Sequence, residues 1–174
     1  ATGILLLLAY QLFIRMPQFG SAPAGARLQR IRNSPNYRNG QFQNLSDTPQ
    51  LTDGATFSSV FKEFFLSSKE GRKPSATVPA KKIPLHDLRA NDNVIVWFGH
   101  SSYFIQVDGR KILVDPVFSG NASPLPGTTK SFRGSDAYTV DDMPEIDYLV
   151  ITHDHWDHLD YTTVKKLRTK VKTV

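Results

Sequence analysis

A short apolar run followed by closely spaced histidines constrains the fold of this chain more than any other stretch. Residues 147–151 read DYLVI, and this β-branched, apolar run predicts a buried strand. Residues 161–170 place apolar side chains at helical spacing, and Asp160 is suited to cap that helix at its N-terminus. Residues 152–158, with the sequence THDHWDH, therefore lie on a strand-to-helix turn, where side chains can converge on one point.

The residue spacing within this histidine cluster favours metal ligation. His153 and His155 are two residues apart on a chain leaving a strand, so both imidazoles can point the same way and reach one ion. Asp157 and His158 come after the turn and can serve a second ion, about 3.5–4 Å away as in paired hydrolytic sites. Nitrogen and carboxylate ligands without cysteine suit Zn²⁺, with Mn²⁺ or Fe²⁺ as alternatives. The other interpretation is a polar loop with incidental histidines.

Further strands are predicted before the cluster. Residues 94–98, 102–107 and 110–115 are apolar or alternating runs, and Asp108-Gly109 is a two-residue hairpin signal. A long loop rich in Gly, Pro, Ser and Thr follows over residues 116–143. Strands, a loop, a further strand, the histidine turn and a helix predict an α/β fold, namely the first half of an α/β sandwich.

The histidine motif and two neighbouring runs carry a resemblance to a known family. The pattern His-x-His-x-Asp-His resembles the signature of the metallo-β-lactamase superfamily. It is matched here by His153, His155, Asp157 and His158. Residues 97–102 (WFGHSS) and 112–119 (ILVDPVFS) resemble the branch with N-acylphosphatidylethanolamine-hydrolysing phospholipase D and ascorbate-phosphate-lactonase-like proteins. The resemblance implies that residues 93–174 form the first half of a metallo-β-lactamase-type αββα sandwich.

The resemblance also implies a function. In that superfamily the first two histidines bind one metal ion and the Asp-His pair contributes to the other. It therefore implies a metal-dependent hydrolase with two Zn²⁺ ions, acting as a phosphodiesterase on a phospholipid. The alternatives are a lactonase or a nuclease on the same metal core, or a non-catalytic, membrane-associated fragment with an incomplete metal site.

The family completes its metal site with a later histidine, aspartate and histidine. This sequence reaches Val174 without them. We therefore expect the chain to be a fragment of a longer protein and, on its own, to be weakly active or inactive.

Three further residues are candidates for supporting roles. The resemblance implies that Asp115, at the end of a predicted strand, accepts a hydrogen bond from a metal-bound imidazole, although a simple turn aspartate is the alternative. It implies a catalytic role for Asp154 in proton transfer, alongside Asp157; Asp154 could instead only orient the loop. His100 could bind a substrate oxygen or brace the predicted hairpin.

The N-terminal residues predict a membrane location. Residues 1–15 contain the run ILLLLAYQLFI, which is shorter than the roughly 20 apolar residues that span a bilayer. We expect a membrane anchor or signal segment whose start is missing, since the sequence opens with Ala1, with a core helix as the alternative. Residues 16–92 form an extension with an amphipathic helix over 56–68, whose four phenylalanines are expected to pack in a core or, alternatively, to face lipid.

Charge is consistent with that location. A net charge of +5 and a pI of about 9.5 allow attraction to anionic lipid or to nucleic acid. We expect association with a bacterial inner membrane or its periplasmic side, with the cytoplasmic face as the alternative. The expected partners are a phospholipid or small-molecule substrate and the membrane, rather than nucleic acid.

Overall fold

The computed structural model describes residues 2–125 and 127–174. Ala1, the first residue of the predicted anchor, and Pro126, within the long loop, lie outside the described residues. The chain divides into two compact units, Ala1–Lys69 and Glu70–Val174, and each is described by itself.

The first unit consists of helices and a short β-hairpin. Its elements are α1 (Thr2–Phe13), a 3-10 turn (Pro17–Phe19), α2 (Gly25–Arg32), β1 (Tyr37–Arg38), β2 (Gln41–Phe42) and α3 (Phe57–Leu66). The two strands pair antiparallel. No helix in the described part of the chain combines the length and hydropathy that crossing a bilayer requires.

Helix α3 occupies the stretch for which the sequence predicts an amphipathic helix. Thr56 and Ser59 form a reciprocal capping box at its start, which satisfies backbone N–H groups that would otherwise lack partners. The expectation that its phenylalanines pack in a core is wrong for this unit, because all four are largely exposed. The exposed fractions are 70% for Phe57, 65% for Phe61, 65% for Phe64 and 55% for Phe65.

The second unit is built on a mixed sheet, which confirms the predicted α/β class. Its strands, in both chain and spatial order, are β3 (Val94–Gly99), β4 (Ser102–Val107), β5 (Arg110–Val114), β6 (Ile146–Val150) and β7 (Val171–Thr173). The pairs β3–β4 and β4–β5 are antiparallel, whereas β5–β6 and β6–β7 are parallel. Asp108 and Gly109 join β4 to β5 with φ values of 47° and 74°, as the two-residue hairpin signal predicts.

One face of this sheet carries the core. Phe104, Leu113 and Leu149 are at most 3% exposed and project from three neighbouring strands onto the same side. Side chains from the long loop and from α4 (Tyr161–Leu167) cover them, among them Tyr138, Val140, Met143 and Leu167. The opposite face is open: Ile95 and Trp97 are 72% and 69% exposed.

The core extends upstream of the predicted domain start at residue 93. Leu85, in a 3-10 turn over Leu85–Asp87, is 1% exposed and belongs to the same core cluster. The second compact unit therefore includes residues 70–92, which the sequence analysis assigned to the extension.

The turn between β6 and α4 positions the histidine cluster. Asp160 caps α4 as predicted, because one of its carboxylate oxygens accepts from the N–H groups of Thr162 and Thr163. Its other oxygen accepts from the N–H of Ser119, which ties the start of the long loop to the same helix. Helix α4 ends at Leu167, earlier than the predicted residue 170, and the chain then forms β7, a strand that the sequence analysis did not predict.

Candidate metal centre

Asp115 lies beneath the histidine cluster. It follows β5 directly, is 1% exposed, and has a φ of 42°, a left-handed conformation that aspartate tolerates better than most residues. Its Oδ1 accepts from the N–H of Thr152 at 2.8 Å, and its Oδ2 accepts from the Thr152 hydroxyl at 2.6 Å. The same Oδ2 lies 2.8 Å from Nδ1 of His158. Burial tends to raise the pKa of Asp115, but the hydrogen bonds from His158 and Thr152 outweigh it and hold that pKa below its ordinary value.

An ionised Asp115 fixes the tautomer of His158. A carboxylate can only accept hydrogen bonds, so Nδ1 of His158 must carry the proton and donate it. The lone pair of a neutral His158 is then on Nε2, which lies 3.9 Å from Oδ2 of Asp157. Metal-binding histidines commonly donate their second ring N–H to a carboxylate in this way. The contact expected between Asp115 and an imidazole is therefore present, and the imidazole is that of His158.

His153 and His155 lie against the same group. Their ring centroids are 4.5 Å apart, and the His153 ring is 3.9 Å from that of His158. Both residues are exposed. The Thr152 hydroxyl lies 3.0 Å from Nδ1 of His153. Because that hydroxyl donates to Asp115, it is free to accept from Nδ1–H of His153, which would leave Nε2 of His153 as the ligand atom.

Thr152 was not singled out in the sequence. The one available signal was its position just after the strand β6. There its hydroxyl and its N–H lie close to the end of β5, the parallel neighbour of β6. Asp154, the predicted proton-transfer residue, is exposed.

His100 joins the cluster from the turn between β3 and β4. Its Nε2 lies 2.9 Å from Oδ2 of Asp157. Among the described residues, the potential ligand atoms of His100, Asp157 and His158 all lie within 4.8 Å of one another. Partial burial tends to raise the pKa of Asp157, while its own backbone N–H and the charges of His158 and His100 lower it below the ordinary value overall. The sequence indicates a substrate contact or a hairpin brace for His100, and its contact with Asp157 is not predicted by any local pattern.

The donor set fits a divalent transition metal. Imidazole nitrogens and a carboxylate converge here without cysteine, which suits Zn²⁺, Mn²⁺ or Fe²⁺ and does not choose between them. The carboxylate of Asp115 supplies the orienting hydrogen bond that such sites use. Of the four motif residues, Asp157 and His158 share a compact group of ligand atoms with His100. The ring of His153 lies against that of His158, and the ring of His155 lies against that of His153.

Two cavities of the described structure adjoin the cluster. One, of about 470 Å³, is lined by Trp97, Tyr103 and His158. The other, of about 520 Å³, lies under the long loop and is lined by aromatic side chains, with His100 and Asp157 also in its wall. Those aromatic residues are Trp97, Phe98, Phe118, Phe132 and Tyr138. Both volumes fall in the usual range for small-molecule sites.

Comparison with known proteins identifies the family that this sequence matches. A family model described as a beta-lactamase superfamily domain matches residues 94–174. An uncharacterized protein of Mycobacterium tuberculosis (strain ATCC 25618 / H37Rv) is 30% identical over 171 residues, covering 96% of this chain and 46% of that protein. The N-acyl-phosphatidylethanolamine-hydrolyzing phospholipase D 1 of Caenorhabditis elegans is 30% identical over 149 residues, covering 79% of this chain and 39% of that protein.

Other matches cover about half of this chain. A UPF0173 metal-dependent hydrolase of Methylobacterium nodulans is 32% identical over 80 residues, covering 46% of this chain and 30% of that protein. Among solved structures, CmlA, a diiron beta-hydroxylase from Streptomyces venezuelae, is 33% identical over 47% of this chain and 15% of that chain, with a TM-score of 0.35. The chain thus spans about half the length, or less, of the curated relatives it matches. The segment from Val94 to Val174, which carries the histidine motif and its supporting strands, belongs to the beta-lactamase superfamily.

Proposed function

We propose that the protein is a metal-dependent hydrolase that holds two Zn²⁺ ions and cleaves a phosphodiester bond in a phospholipid. The observation that carries this proposal is the convergence of the imidazoles of His153, His155 and His158 beside Asp157, with Asp115 orienting His158. The similarity to a phospholipase D from Caenorhabditis elegans supports the choice of substrate class.

Each residue of the cluster has a proposed role. His153 and His155 hold one ion, and Asp157 and His158 contribute to the other. Bound divalent cations supply Lewis acidity, which activates water near neutral pH and stabilises negative charge on the attacked phosphoryl oxygen. Asp154 lies between His153 and His155 in the sequence and is exposed, and its proposed role is proton transfer.

Two features support a lipid substrate and a membrane location. The aromatic wall of the 520 Å³ cavity offers apolar surface directly beside His100 and Asp157. In the first unit, Leu5, Leu6 and Leu7 of α1 are 63–68% exposed, the four α3 phenylalanines are 55–70% exposed, and the chain is basic. Exposed apolar side chains with basic charge suit an anionic membrane surface. We propose that this surface is the bacterial inner membrane, on its periplasmic or its cytoplasmic side.

The test compares two histidine substitutions in the full-length protein. Metal content is measured by elemental analysis. Formation of phosphatidic acid in vesicles that contain N-acylphosphatidylethanolamine reports hydrolysis. His155→Ala should lose bound metal and activity. His86→Ala is the matched control, because His86 is exposed and its ring contacts the backbone oxygen of Asp141 rather than the cluster.

The outcomes separate the metal from the substrate. Equal metal content in the wild type and in His155→Ala would contradict the ligand role. Metal loss in His155→Ala, combined with cleavage of lactones or nucleic acid instead of phospholipid by the wild type, would keep the metal centre and replace the proposed substrate.

A further inference from the structure

His100 is held in an unusual backbone conformation beside the metal cluster. Its φ is 46°, in the left-handed region, where histidine is found more often than most residues other than glycine, and Gly99 before it has a φ of 110°. The indole N–H of Trp97 donates to the carbonyl oxygen of His100 at 2.9 Å, and the β3–β4 register shifts at this point. Strained residues and strand irregularities often aim a side chain at a functional site, so the direction of this imidazole requires an explanation.

A surface ion pair does not supply that explanation. The side chains of His100 and Asp157 are 61% and 45% exposed, and exposed ion pairs contribute little to stability. This contact therefore contributes little stability of its own. A role in which the imidazole binds something else at the same point accounts better for the conformation.

The potential ligand atoms of His100, Asp157 and His158 lie close together. Oδ2 of Asp157 faces both Nε2 of His100, at 2.9 Å, and Nε2 of His158, at 3.9 Å. Around a tetrahedral zinc ion with bonds of about 2.0–2.1 Å, ligand atoms lie about 3.3–3.4 Å apart. Changes of roughly half an ångström in these two separations would place Asp157 at such a distance from each histidine, and the ligand atoms of the two histidines lie within 4.8 Å of each other.

We propose that His100 is the third protein ligand of the ion held by Asp157 and His158. This inference rests on the proposed metal-dependent function. Among the described residues, it gives this ion a set of two histidines and one carboxylate. Such sets are typical of catalytic zinc sites and of non-haem iron(II) sites. Asp115 orients one of the two histidines, and the Trp97–His100 hydrogen bond fixes the backbone of the other.

The test measures the number and affinity of bound ions, without an activity assay. Zn²⁺ and Co²⁺ are titrated into the metal-free chain by calorimetry, and the visible absorption of Co²⁺ reports the ligands of each ion. His100→Asn removes the imidazole but keeps a residue that tolerates positive φ. We expect this substitution to lower the affinity for one of the two ions by more than about 100-fold. That loss exceeds the 10–100-fold loss of affinity caused by removing an orienting partner. His153→Ala should weaken the other ion, and His86→Ala should weaken neither.

A second variant separates ligation from positioning. His100→Gln keeps an N–H that can donate to Asp157 but removes the ring nitrogen. A strong loss of affinity for the same ion in His100→Gln supports ligation by His100. Wild-type affinity in either His100 variant overturns the proposal that His100 is a ligand. If His153→Ala still loses an ion in that case, the proposed hydrolase function stands without His100. A wild-type chain that binds no metal overturns both proposals.

Discussion

Replacing Asp115 with asparagine removes the charge that orients His158 while keeping the backbone conformation. Both residues tolerate the φ of 42° observed here, so the substitution tests hydrogen bonding rather than strain. The carboxylate accepts two hydrogen bonds from Thr152 and one from His158. Asparagine has a single acceptor oxygen, so its NH₂ group must face one or more of these donors.

The expected cost follows from burial of the contact. Losing a hydrogen bond to a charged group costs about 1.5–3 kcal/mol, and a buried donor left unsatisfied costs about 1–3 kcal/mol. Asp115 is 1% exposed, so water cannot replace the lost partner. We expect Asp115→Asn to lower the free energy of unfolding by about 3 kcal/mol.

The same substitution should weaken metal binding. An asparagine NH₂ facing Nδ1 of His158 favours the tautomer whose proton is on Nε2, which removes the ligand lone pair. Metal affinity should fall by at least about 10–100-fold. Urea unfolding of the metal-free chain gives the stability, and calorimetric Zn²⁺ titration gives the affinity.

A second aspartate provides the matched control. Asp147 accepts from the N–H of Lys111 and from Lys172, away from the histidines, so Asp147→Asn should lower stability without changing metal affinity. The reasoning is refuted if Asp115→Asn binds Zn²⁺ as tightly as the wild type, or if both substitutions weaken metal binding equally.

The pH dependence gives an independent check on Asp115. Its folded pKa lies below the ordinary value, so its contribution to stability is present above the unfolded pKa of about 3.9 and is lost as the pH falls through the lower folded pKa. The unfolding free energy of the wild type should therefore fall on acidification below about pH 4. In Asp115→Asn this fall should be smaller, because one of the carboxylates with a lowered pKa is absent; an equally steep fall would contradict the assignment.

Three substitutions test how the fold supports the site. Asp160→Ala should lower the unfolding free energy by about 2 kcal/mol, since it removes the cap of α4 and a contact to the long loop; thermal unfolding measures this. Gly134→Ala should prevent normal packing of that loop, because a Cβ at φ +92° would lie 2.2 Å from the backbone oxygen of Val78. Gly127→Ala, which would meet only the flexible end of a lysine, is its control in the same unfolding assay. Leu113→Ala should cost about 2–5 kcal/mol by urea unfolding, because Leu113 is completely buried.

Local patterns in the sequence predicted those parts of the site that depend on neighbouring residues. The run before Thr152 and the cap at Asp160 predicted the strand, turn and helix, because period and capping are local properties. The Asp108-Gly109 pair predicted the hairpin, since its two residues adopt the required positive φ values.

Other features depended on contacts that the local sequence does not encode. The contact between His100 and Asp157 joins residues far apart in the chain, and neither local pattern indicates the other. The stripe of phenylalanines on α3 has the spacing of a buried face, yet the structure leaves it exposed, because periodicity shows that a face exists without showing what covers it. Strand β7 has three residues, too few for a pattern of its own.

Sheet topology explains why residues so distant in sequence share one site. Strands β5 and β6 run parallel, so their carboxyl ends, which lead into Asp115 and Thr152, meet at one edge. Strand β4 runs antiparallel to β5, and the register that pairs Tyr103 with Val114 puts the start of β4 beside the end of β5. The β3–β4 turn, with His100, must therefore lie at that same edge. A metal ion bound between His100 and the histidine turn would link both the antiparallel and the parallel parts of the sheet, and so couple ligand binding to the stability of the whole second unit.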